Sequence, residues 1–171
     1  MTYVQQLADG PTELDRVYRL RPQFYTVFMQ DYQRSIERID PVLVELCRLR
    51  MATLLGSKLD LSLRYMPAID AGLTEAKLRE LSKYRSSPLF SERERRCLDF
   101  AEQYVIQSSS IGDEDVARVQ TVLDAEEFIY FVKALSVMDQ LQRGCAAFEI
   151  QPSERVPSTM DRFQLAPEPV Q

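Results

Sequence analysis

The sequence contains no histidine. That excludes the side chain that most often serves as a general base near neutral pH, the commonest metal ligand, and every Ser-His or Cys-His nucleophile pair. Acid-base chemistry in this chain falls to carboxylates, Lys, Tyr or Cys. Cysteine is scarce as well: Cys47, Cys97 and Cys145 lie about fifty residues apart, with no CxxC and no metal-ligand spacing. Each falls in an apolar helical pattern, where a small buried hydrophobe is its ordinary role. Neither a metal nor a cofactor is implied. No apolar run approaches the roughly 18 residues of a membrane span. The opening "MTYVQQLADGPTELDR" lacks a basic segment followed by an apolar one. No membrane partner is expected, and the expected location is cytoplasmic. Positive charge is in deficit too: a net charge of −5 and a pI near 4.9 argue against a nucleic-acid surface.

What is present is helical patterning. Hydrophobic residues make up 45% of the chain and charged residues 27%, and 171 residues are enough for one ordinary domain. With five glycines, nine prolines and apolar residues recurring at three and four, the expected fold is all-α, a compact bundle of six to seven helices. A first helix is expected from Thr12 to about Arg34. Asp40 and Pro41 place a cap beside a proline suited to the first helical position, opening the strongly apolar "PVLVELCRLRMATLLG", which Gly56 closes. Ser57 with Asp60 has the form of a capping box for a next helix that runs to Ala71-Gly72-Leu73. Pro67 falls inside it, so the helix is either kinked there or shorter. Thr74 caps a short helix, Ser91 with Glu94 forms another capping box, "SSSIGDEDVARVQTVL" is a loop and a helix with an acidic first turn, and Asp124 opens the longest helix, ending near Ile150. The helical domain spans residues 1–152. From residue 153 to 171 the proline-containing segment is expected to be extended or disordered.

A hydroxyl, a carboxylate and a guanidinium fall together at the second interhelical turn. Ser57, Asp60 and Arg64 are spaced i, i+3 and i+7, which on one helix puts them on one face. Glu45 stands twelve residues before Ser57 inside "VLVELCRL". A carboxylate in so apolar a helix has to be paired, hydrogen bonded or protonated. Arg48, Arg64 and Arg50 are the candidate partners.

The ordered segments "PVLVELCRLRMATLLGS", the sixteen residues ending in AGL, "LFSERERRCLDFAEQY" and "QRGCAAFEI" resemble the carboxymuconolactone decarboxylase and alkylhydroperoxidase D (AhpD-like) superfamily over about residues 20 to 152. In the peroxidase branch, the second helix opens with CxxC, a histidine follows four residues later, and a glutamate twelve residues upstream completes a proton relay. Counted back from Ala71-Gly72-Leu73, those positions hold Ser57, Asp60 and Arg64, and Glu45 matches the glutamate. The resemblance therefore implies a degenerate CxxC site.

Three functional readings follow. In the first, the chain is a redox-inactive relic that is non-catalytic or binds a small ligand, with a Glu45–Arg64–Asp60 network holding the hairpin and Ser57 as a cap. In the second, it is an acid-base lyase or hydrolase acting on a small carboxylated metabolite. Glu45 is then the proton carrier, Arg64 with Arg48 or Arg50 the carboxylate anchor, and Ser57 and Asp60 the orienting groups. In the third, peroxiredoxin-like activity survives through a lone cysteine. The resemblance also implies homo-oligomers, trimers or hexamers.

Overall fold

The computed structural model describes residues 3–167; the last four positions of the expected tail, 168–171, lie outside the described residues. Helices dominate, as the spacing of apolar residues requires, and the fold is an all-α bundle. Its segments are α1 (Glu13–Tyr18), α2 (Pro22–Ile36), α3 (Pro41–Leu55), α4 (Lys58–Leu61), α5 (Met66–Asp70), α6 (Glu75–Arg79), α7 (Glu92–Gln107), α8 (Asp113–Gln120) and α9 (Ala125–Ala147). Two short strands, β1 (Leu63–Tyr65) and β2 (Phe163–Leu165), pair antiparallel.

Most helix boundaries follow from local chemistry. Asp40 accepts the Leu43 N–H and Pro41 starts α3, which ends where Gly56 turns left-handed at φ 70°. Thr74 caps α6, and Ser91 and Asp124 open α7 and α9 with complete capping boxes. Helix α9 closes with Ile150 N–H bonding Cys145 O and Glu149 N–H bonding Ala146 O, which draws Glu149 into a left-handed conformation at φ 55°.

Two expectations are corrected, both at prolines. The helix read from Thr12 to Arg34 is two helices. Pro22 has no N–H to give and its ring clashes with the preceding turn, so the chain breaks at residues 19–21 and Pro22 becomes the first residue of α2. The helix expected to run from Ser57 to residue 73 is likewise divided into α4, β1 and α5. Pro67 sits in the first turn of α5, where its missing N–H costs nothing, and the residues before it are extended.

Helix α3 is the axis of the molecule, packed by α7, α9 and α5. Leu43, Leu46, Cys47, Leu49, Met51 and Ala52 are all buried on it, which explains a helix apolar nearly all round. After α9 the chain runs extended over the bundle and is tied down along its length. The Gln151 N–H bonds Glu13, Ser158 bonds Asp15, Met160 and Phe163 are buried, and β2 lies on β1. No helix among the described residues is long and apolar enough to cross a membrane.

Candidate functional site

Helix α3 carries Glu45 and Arg48 one turn apart, so both side chains leave the same face. The Gly56 turn reverses the chain, and the single turn of α4 brings Asp60 back against Arg48. The guanidinium then spends every donor it has. Its Nε and Nη2 donate to the two Glu45 carboxylate oxygens at 2.7 and 2.9 Å. Its Nη1 donates to Asp60 Oδ1 at 3.1 Å and to the Asp60 carbonyl at 2.8 Å, and Nη2 also reaches the Leu63 carbonyl at 2.8 Å. These five bonds match the five N–H groups of an arginine. Glu45 Oε1 further accepts the Tyr65 N–H at 3.2 Å, and the Ser57 hydroxyl donates to Asp60 Oδ2 at 2.6 Å. Glu45, Arg48 and Ser57 are 0% exposed and Asp60 is 1%. The Phe163 ring covers the guanidinium from the β2 side, 5.2 Å from its centre.

Electrostatics follow from this packing. Burial works against the charge on Arg48, but Glu45 and Asp60 outweigh it and hold the guanidinium protonated above its ordinary range. Tyr32 from α2 is fully buried beside the group; burial and then the Asp60 charge push its phenol up, and its hydroxyl has no hydrogen-bond partner among the described residues. Gln142 from α9 donates to the Arg48 carbonyl at 2.9 Å, while its own carbonyl oxygen has no partner among the described residues. Burial raises all three thiols, Cys97 to about 12 and Cys47 and Cys145 well above the usual range.

The structure therefore brings Glu45, Ser57 and Asp60 together, around Arg48. Arg64 is not on the same helix face as Ser57 and Asp60. It lies on β1 and turns to Glu75 and to the Leu61 and Leu63 carbonyls. Arg50 pairs with Glu102 on α7. The capping box expected at Ser57 does not form. Asp60 is committed to Arg48, and the Ser57 hydroxyl donates to that carboxylate instead of accepting a backbone N–H. Tyr65, Phe163, Tyr32 and Gln142 were not foreseen. Of these, only Gln142, a polar residue on the apolar stripe of α9, left a signal in the sequence. Two hollows, about 500 Å³ between α7 and α8 and about 610 Å³ beside α4, are lined by other side chains.

The sequence matches no family model and no curated protein. Solved structures do match. One is a protein of unknown function from Agrobacterium tumefaciens, provisionally described as an antioxidant defence protein AhpD. It superposes with a TM-score of 0.70 at 15% identity, over 90% of this chain and 99% of that one. This chain has the AhpD-like fold. A second structure with which this chain superposes is a cysteine-to-alanine variant of the debrominase Bmp8 in complex with 2,3,4-tribromopyrrole. Its TM-score is 0.66 at 16% identity, over 78% of this chain and 72% of that one.

Proposed function

We propose that this chain is a redox-inert, non-catalytic variant of the AhpD-like fold. In this reading the hairpin that resembles a thiol peroxidase centre holds a structural ionic knot, and the molecule works as a binding module for a small ligand. One observation carries the reading: Arg48 uses all five donors on two carboxylates and two carbonyls, inside the protein and at zero exposure. A buried charge so completely satisfied leaves nothing to offer a substrate.

Peroxide reduction by the mechanism the resemblance implies requires an accessible thiolate and a second thiol to resolve it. Ser57 and Asp60 supply neither. The lone cysteines are buried thiols with raised pKa values, the opposite of a reactive site. The acid-base reading is disfavoured on the same geometry. Both Glu45 oxygens already accept hydrogen bonds from Arg48, and one also from Tyr65, and the carboxylate is buried at 0% exposure, where no ligand reaches it. Trimer or hexamer formation, implied by the resemblance, belongs to this reading and is measured by sedimentation.

The test is thiol titration beside a peroxide assay. The native chain is expected to give almost no reaction with an aromatic disulfide reagent, three thiols after unfolding, and no peroxide consumption above the dithiothreitol background. Stoichiometric labelling of the native chain together with sustained peroxide turnover would overturn the reading.

A further inference from the structure

The hollow of about 610 Å³ beside α4 is formed where the segment after α9 crosses the hairpin. Its walls are mostly apolar, lined by Leu61 from the end of α4, Leu165 from β2, Ala166 just after it and Pro152 from the start of the crossing segment, with Ser62 and Ser153 beside them. Two charged side chains stand on it, Lys58 from the first turn of α4 and Glu154 from the crossing segment. Elsewhere most charged groups are paired, as in Lys77 with Glu94, Arg93 with Glu127 and Lys133 with Asp31. Among the described residues no hydrogen bond or ion pair engages the Lys58 ammonium or the Glu154 carboxylate. Leu165, at the hollow's edge, is 42% exposed although it belongs to a paired strand.

We propose that this hollow is the ligand site of the molecule, and that it takes a small monocarboxylate with an apolar body, the carboxylate on Lys58 and the body between Leu61 and Leu165. Charge complementarity sets the class. The Lys58 ammonium attracts one anionic head, and Glu154 opposes a second negative charge at the crossing segment, so a diacid of equal length is rejected. The apolar walls supply affinity through buried methylene groups. The proposal rests on the binding-module reading and names the place and chemistry of the ligand. The hollow is separate from the sealed Arg48 knot, so failure here leaves the redox-inert reading standing.

Amide NMR titration of the full ¹⁵N-labelled chain with octanoate provides the test, with suberate and octylammonium as controls. Octanoate is expected to shift the amides of residues 58–62 and 165–166. Going from hexanoate to octanoate should tighten binding up to about fourfold per methylene, at roughly 0.8 kcal/mol for each one buried. Lys58→Ala is expected to weaken octanoate about threefold, the scale of a partly exposed ion pair, and Glu154→Gln to strengthen it. Both side chains are exposed, so the variants should fold as the parent does. No shifts at millimolar octanoate, shifts centred elsewhere, equal binding of octylammonium, or indifference to Lys58→Ala would each overturn the proposal. So would shifts at these residues driven by protein concentration alone, which would assign the face to a second copy.

Discussion

Phe163, on the strand fifteen residues beyond the last helix, sets its ring over the guanidinium of Arg48, the ring centre 5.2 Å away. It also meets the Tyr65 ring at 5.1 Å and is 3% exposed. One aromatic side chain thus joins β2 to β1 and closes the ionic knot against water. Removing it opens a cavity and admits solvent to a buried charge. Phe163→Ala is expected to cost about 3–5 kcal/mol, while Phe163→Leu, which retains cover but no ring, should cost less. Chemical denaturation of the three proteins measures both.

Ser57 acts on Asp60 as a hydrogen-bond donor rather than on a backbone N–H as a cap. Ser57→Ala therefore removes a buried bond to a charged group, a loss of about 1.5–3 kcal/mol, and should exceed the loss from Thr74→Ala at an exposed helix cap, about 1 kcal/mol. Equal losses would mean that Ser57 behaves as an ordinary cap.

Tyr32 carries a fully buried hydroxyl without a partner among the described residues. Deleting an unsatisfied buried polar group while keeping the ring relieves its desolvation cost. Tyr32→Phe is expected to melt at a higher temperature than the parent. A lower melting temperature would show that the hydroxyl is bonded in solution.

The crossing segment is pinned at Asp15, a buried carboxylate that accepts from the Ser158 hydroxyl at 2.5 Å, the Ser158 N–H, the Thr12 hydroxyl at 2.7 Å and the Tyr25 hydroxyl, with Arg19 at 3.9 Å. Burial by itself would raise its pKa; the bonds from Ser158, Thr12 and Tyr25 outweigh burial and hold it below the usual carboxylate value. The unfolded carboxyl titrates near 4. Asp15 therefore contributes stability above about pH 4 and loses it as pH falls through its lower folded value. The stability gap between the parent and Asp15→Asn should be full at pH 6 and shrink as pH falls below about 4, as urea unfolding at each pH would show.

Much of the bundle can be read from sequence where one residue decides one boundary. Asp40 before Pro41, Gly56, Thr74, the Ser91–Glu94 box and Asp124 each act through neighbours three or four residues away. The need for a partner at Glu45 is legible in the same way, since a carboxylate in an apolar helix requires one and Arg48 is one turn along. The break at Pro22 is less so, because an apolar stripe continues across that proline and hides the interruption, while Pro67 announces a kink or a shorter helix without deciding between them. The seal over the site is not legible at all. It depends on Leu63 pairing with Leu165, about a hundred residues apart, and three-residue strands carry too little alternation to announce themselves. Arg64 was misplaced for that reason: on a strand its side chain leaves in another direction than on the helix that the i, i+3, i+7 spacing suggests.

The most direct measurement of the central claim, that the hairpin is a structural knot and not a reacting centre, is the melting temperature of Glu45→Gln against the parent. Removing one partner of a buried ion pair costs about 3–5 kcal/mol, which for a domain of this size is a fall of about 6–20 °C at roughly 2–4 °C per kcal/mol. A fall in that range is the expected result. A variant that melts at the same temperature or higher would contradict the account, because Glu45 would then be held at a cost to stability, as reacting groups are.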